Sequence, residues 1–298
     1  MSDHETIRPW ETIFTEYKEK FERENPVAFS ILEIGGVHPD QCQPIPNPYL
    51  EGRLDNEDFR NVGRHCVEVG IVARKISDNL LKNGVIDQAV ADDMVNRALI
   101  HDANKRYEVF RRKAKEAGKE IDVYSANAYD TMYQQVKAQG HSGPLVEYVK
   151  HAGKETGSVS LTDFIVLDNQ GEPMLTPTLT PEELVVHLAD DMVASPLPGK
   201  TKNTETKLVT ITERMELGNF PTRYPFIYQE GFGFDENNQP ILVKDVNDPA
   251  QTAILKQLKT YAKWQQLTAR LICEQLKNWI GGDADQDAEE LIKKIANN

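Results

Sequence analysis

The stretch ALIHDANKR, residues 98 to 106, sets a histidine beside an aspartate at the foot of an apolar run. Val90, Met94 and Ala98 form a stripe at helical spacing, and His101 continues it at the next step of three, which points its imidazole inward. His65 stands one step from the apolar stripe of an earlier segment, and Asp190 follows His187 by three residues in HLADDMV. Ionised carboxylates and imidazoles are costly to bury alone, so several of them converging on one core call for each other or for a cation. Their nitrogen and oxygen donors suit manganese, iron, cobalt, nickel or zinc, with magnesium as a further candidate, and leave coordination positions for water and substrate. One histidine on an apolar face is more often a packed core residue than a ligand. The set His65, His101, Asp102 and Asp190 points to a metal.

Such groups need elements that hold them. Residues 8–24 have the spacing of an amphipathic helix, and a proline-rich loop over 38–52 separates this cap from the main body. After Asn56, a cap-type residue, Val62, Cys66, Val69, Ala73, Ile76 and Leu80 recur at steps of three and four until Gly84. That run predicts a buried-face helix carrying His65. A second helix begins near Asp87 and ends on His101; KRYEVFRRKAKEAG starts another, or bends from it, and stops at Gly118. Ser125 caps the next helix, through Tyr129, Met132, Tyr133 and Val136 to Gly140, with His141 just beyond and His151 in a short helix after it. FIVLDNQGEPMLTP alternates around a turn and reads as a small hairpin. Thr180, Pro181 and Glu183 then make the pattern of a capping box ahead of His187, Asp190 and Asp191. A second hairpin is expected at FIYQEGFGFDENNQPILVKDV, then one long helix over 249–280 and an acidic tail.

The order His65, then His101-Asp102 in ALIHDANK, then Asp190 in HLADDMV resembles the HD-domain superfamily of metal-dependent phosphohydrolases. The similarity spans roughly residues 57–195 and includes the apolar run before HD, a lysine three residues after the aspartate, here Lys105, and an AD pair in a late apolar helix. It implies a mainly α fold, an HD-domain-like helical core with one or two small peripheral β-hairpins. It also implies that His65, His101, Asp102 and Asp190 ligate the ion, with Asp102 able to bridge two. Some members bind a second ion through two histidines between HD and the last aspartate; His141 and His151 lie in that interval, ten residues apart. Asp191 is then a neighbour that supports Asp190, and His187 packs or orients. The implied activity is hydrolysis of a phosphate ester of a nucleotide or related small phosphorylated compound, with Asp102 and Lys105 at the reacting centre. Lys105, Arg106 and Arg111 lie in a locally basic stretch and are the expected phosphate contacts.

Composition sets the frame. The chain has 298 residues, 39% of them hydrophobic, enough for a substantial core, and a formal charge of −13 that opposes wholesale binding to nucleic acid or anionic lipid. Cys42, Cys66 and Cys273 are isolated, which disfavours a disulfide framework and favours a reducing cytoplasm. No apolar run approaches the ~20 residues of a membrane span. The organisation expected is a cap over 1–52, a metal-binding core over 53–198 and a C-terminal hairpin and long helix over 199–298 packed on it, with residues 196–202 as the best boundary. PGKTK lacks the first glycine of a phosphate-binding loop, since Ala194 stands there, and EGFGF is turn chemistry within a hairpin. Two other functions use the same residues: a di-iron oxygenase of HD type, and a non-catalytic nucleotide-binding regulatory protein that forms a homo-oligomer through its C-terminal helix. Metal content, oxygen consumption and turnover separate them.

Overall fold

The computed structural model describes residues 9–41, 43–51, 53–121, 130–150, 152, 161–194, 206–216 and 224–297. Cys42, Ser125, Tyr129, His151 and residues 196–202 lie outside the described residues. Helices dominate, and the sheets have two or three strands, so the chain is mainly α with small peripheral hairpins. Two compact units divide it: one takes Met1–Arg74, Asp92–Gly153 and Ser195–Lys207, the other Lys75–Ala91, Lys154–Ala194 and Leu208–Asn298. The first unit therefore draws on all three of the consecutive segments expected from sequence.

In the first unit, α1 (Trp10–Glu24) follows the expected amphipathic run. The proline-rich loop does not come next, because α2 (Pro26–Gly35) intervenes. Its sequence PVAFSILEIG buries Ala28, Phe29, Ile31, Leu32 and Ile34, so the one-sided periodicity that marks a surface helix is missing. Pro26 occupies the first turn, where its missing N–H costs nothing, and Gly36 ends the helix at φ 67°. The loop that follows pairs β1 (Ile45–Pro46) with β2 (Leu54–Asp55). The next helix, α3 (Arg60–Lys82), starts four residues after Asn56; Asp58 accepts the Arg60 N–H at 3.0 Å. Then come α4 (Gln88–Ile100), α5 (Lys105–Glu116), α6 (Asp130–Ala138) and α7 (Pro144–Tyr148).

The core of this unit gathers Ile31 and Leu32 of α2, Val67 and Ile71 of α3, Leu99 and Ile100 of α4, and Tyr107 and Phe110 of α5. At ~1.5–3 kcal/mol for each large apolar side chain taken from water, these contacts dominate what fixes the helix ends. Gly35 lets α2 approach closely: a Cβ there would stand 2.5 Å from the carbonyl oxygen of Ala103, backbone against backbone. The turn between α4 and α5 is held by that contact.

The second unit contains α8 (Leu161–Phe164), the hairpin of β3 (Ile165–Leu167) and β4 (Pro173–Leu175), α9 (Pro181–Met192) and α10 (Ile211–Glu216). Thr180 and Glu183 form the expected capping box, each side chain accepting the other's backbone N–H. A three-stranded sheet follows in the order Pro240–Val243, Gly231–Phe234, Lys256–Thr260. Phe232 in its central strand stacks on Trp264 at 4.6 Å, and the indole N–H donates to the Phe232 carbonyl at 2.8 Å.

Two expectations are corrected here. The single helix over 249–280 is replaced by one helical turn, Pro249–Thr252, the strand Lys256–Thr260, and a helix, Tyr261–Ile280. Pairing with Gly231–Phe234 outweighs local helical spacing: Gln257 takes φ 51°, Ile254 is left 83% exposed, and Thr260 caps the new helix by accepting the Lys263 N–H. The acidic tail is in part a helix, Ala288–Asn297, which buries Ala288, Ile292 and Ala296 along one narrow stripe. No helix among the described residues is long and apolar enough to cross a membrane.

Candidate metal centre

His65 lies in the second turn of α3, a half-buried position beside the fully buried Cys66 and Val67. His101 is the first residue after α4 and is fully buried, whereas Asp102 next to it keeps 22% of its side chain exposed. The helix stripe carries His101 inward, and the chain then turns through Ala103 and Asn104 into α5. Asn104 fixes that turn by donating its side-chain amide to the Val149 carbonyl at 2.9 Å.

The imidazoles of His65 and His101 meet edge to face with centroids 5.3 Å apart, and His101 Nε2 is 4.0 Å from Asp102 Oδ2. One ligand atom from each of His65, His101 and Asp102 lies within 4.8 Å of the other two, and among the described residues this is the group that can share an ion. Donors bound at ~2.0–2.2 Å stand about 3–4.2 Å apart around a common ion, so a pair at the 4.8 Å limit would have to close by about 0.6–1.8 Å. His101 Nδ1 sits 2.7 Å from the Ala98 carbonyl oxygen. A carbonyl only accepts, so Nδ1 carries the proton of the neutral ring and Nε2 presents the lone pair to an ion. The donor set, two imidazoles and one carboxylate, could hold a metal ion.

The other residues expected from sequence occupy different settings. His141 is half-buried after α6, with Nε2 2.8 Å from Ser30 Oγ. Asp190 belongs to the second unit, where its backbone carbonyl accepts from Arg214 and its side chain is half-buried. Asp191 is buried, accepts from Gln265 at 2.6 Å, and lies 3.6 Å from His187 Nε2 and 3.8 Å from Arg214. Burial pushes its carboxyl above the ordinary carboxylate range despite His187 and Arg214. His187 packs its ring on Phe164 at 4.5 Å.

Within the basic stretch, neighbours diverge. Lys105 is exposed, 3.4 Å from Glu108. Arg106 is 1% exposed, and its guanidinium donates to the carbonyls of Gly36, Gln43 and Asp55 while lying over Phe59 and Phe110. It clamps the β1–β2 loop to the start of α5. Arg111 is likewise buried. Gly35 and the Ala98 carbonyl, which set the backbone and the tautomer of the centre, stand outside the sequence motifs. The Gly35-Gly36 pair after ILEI was the available signal for the first, and nothing in the sequence signals the second.

Comparison with protein-family models, curated proteins and solved structures finds no match for this chain.

Proposed function

We propose that the chain is a metal-dependent phosphohydrolase acting on a nucleotide or related small phosphorylated compound, with His65, His101 and Asp102 as protein ligands of one divalent transition ion. The convergence of these three side chains in one unit carries the reading, and the ordered H…HD…D resemblance supports it. A divalent cation held there lowers the pKa of a coordinated water and polarises a phosphoryl oxygen.

The chain's own residues do the rest. The Ala98 carbonyl holds His101 in the tautomer that binds through Nε2. Asp102, partly exposed, offers its carboxylate both to the ion and to solvent that enters the site. Lys105, exposed one helical turn further on, supplies positive charge for a substrate phosphate in a chain that is otherwise acidic. Asp190 as a further ligand, and His141 and His151 as ligands of a second ion, rest on the resemblance alone.

The test is phosphate release from a panel of nucleotides and sugar phosphates, with oxygen uptake and nucleotide binding followed in parallel, by chelator-stripped protein re-supplied with manganese, iron, cobalt, nickel, zinc or magnesium. Turnover that requires a redox-inert ion and is lost in Asp102→Asn supports the reading. Tight nucleotide binding without turnover in any metal, or oxygen consumption that requires iron, would overturn it in favour of a sensor or an oxygenase.

A further inference from the structure

In the first unit a cleft of about 630 Å³ opens between the β1–β2 loop and the last turn of α5. Its volume is within the range of small-molecule sites, and its wall is fixed in advance. The buried Asp55 carboxylate accepts from Lys113 Nζ at 2.8 Å and from the Glu57 N–H at 2.7 Å, while Arg106 holds the Asp55 carbonyl at 2.7 Å. Asn47 ties the loop to α5 through the Phe110 carbonyl.

Charge decides what fits. The lining carries two cations, Arg53 and Lys113, against three carboxylates, Asp55, Glu57 and Glu116. Lys113 is engaged by Asp55 and by Glu57, the latter at 2.7 Å, and the buried Arg106 guanidinium lies 3.9 Å from Asp55, so two cations answer these two carboxylates. Arg53 and Glu116 are exposed, and among the described residues neither forms an ion pair. An acidic lining in a chain of charge −13 disfavours polyphosphates. One guanidinium and one carboxylate left over match a ligand with one charge of each sign, and Leu54, 61% exposed on the cleft, offers it an apolar surface.

We propose that this cleft binds a small zwitterion with an apolar side chain, the chemistry of a free α-amino acid, its carboxylate on Arg53, its ammonium on Glu116 and its side chain against Leu54. The site is separate from the metal centre and stands whether or not the chain hydrolyses phosphate esters.

The experiment is calorimetric and saturation-transfer titration of the full chain with L-leucine, 4-methylpentanoate and isoamylamine, which carry both charges, the carboxylate only and the ammonium only. Saturable L-leucine binding is expected, about tenfold weaker for each single-charge analogue and about tenfold weaker in Arg53→Gln and in Glu116→Gln. Both substitutions are at exposed positions with no ion pair among the described residues, so their melting temperatures should match the parent. Absence of saturable L-leucine binding at tens of millimolar overturns the proposal. So does undiminished binding in either variant, or binding of either single-charge analogue as tight as that of L-leucine.

Discussion

His101 Nδ1 lies 2.7 Å from the carbonyl oxygen of Ala98, three residues earlier in the chain. The last turn of α4 thus sets the protonation pattern of a ring that faces His65 and Asp102. In metal-free protein at alkaline pH, two-bond nitrogen–proton NMR of the His101 ring should report the Nδ1–H tautomer. An Nε2–H tautomer would mean that the nitrogen facing Asp102 is not available to an ion.

Gly35 and Ala103 hold the turn from the other side, since a Cβ at Gly35 would stand 2.5 Å from the Ala103 oxygen. Gly35→Ala has to displace one backbone or the other, an overpacking cost of ~1–3 kcal/mol. Thermal unfolding should register it. Metal affinity, measured by titration on the folded variant, should fall by about tenfold, the lower end of what is lost when outer-shell support is disturbed. A destabilised variant with parental affinity would separate the turn from the site.

Lys105 and Arg106 are adjacent and should behave oppositely. Lys105→Ala removes an exposed ammonium, so stability should hold within about 0.5 kcal/mol, while KM for a phosphate substrate rises and kcat changes little. Arg106→Lys replaces a fork that reaches three carbonyls with a point charge, at a cost of ~2–4 kcal/mol. Equal melting temperatures for the two variants would contradict these assignments.

Asp55 and Lys113 give a signed pH dependence. Burial is the largest single influence and works against both charged forms, but their mutual hydrogen bond, the hydrogen bonds to Glu57 and the attraction of the opposite charges, Arg106 included, together outweigh it, so the Asp55 carboxyl titrates below its ordinary 3.8 and the Lys113 ammonium above its ordinary 10.5. The carboxylate's contribution to stability is present above pH 3.8 and is lost as pH falls through the lower folded value; the ammonium's is present below pH 10.5 and is lost as pH rises through the higher one. Lys113→Met should therefore flatten the acid limb of the stability curve below pH 3.8. Parallel acid limbs in chemical denaturation would count against the pair.

What could be read in the sequence was local. The stripe from Val90 to His101, the Thr180 capping box and the Gly171 turn of the β3–β4 hairpin each lie within a few residues, and each is present in the structure. What escaped depends on distant partners or on uniform burial. The strand Lys256–Thr260 fits helical spacing until Gly231–Phe234 pairs with it, and α2 is too apolar all round to show a face. At the site, the inward turn of His101 followed from periodicity. The burial of Arg106 did not, because a basic run looks the same whether its guanidinium clamps carbonyls or meets a ligand.

The central claim is that His65, His101 and Asp102 share one ion. An anomalous difference map from crystals loaded with manganese or cobalt tests it most directly. A peak bonded to an imidazole nitrogen of His65, to His101 Nε2 and to an Asp102 oxygen, each at ~2.0–2.2 Å, is the predicted result. A well-occupied peak elsewhere, with these three side chains bare, would contradict it.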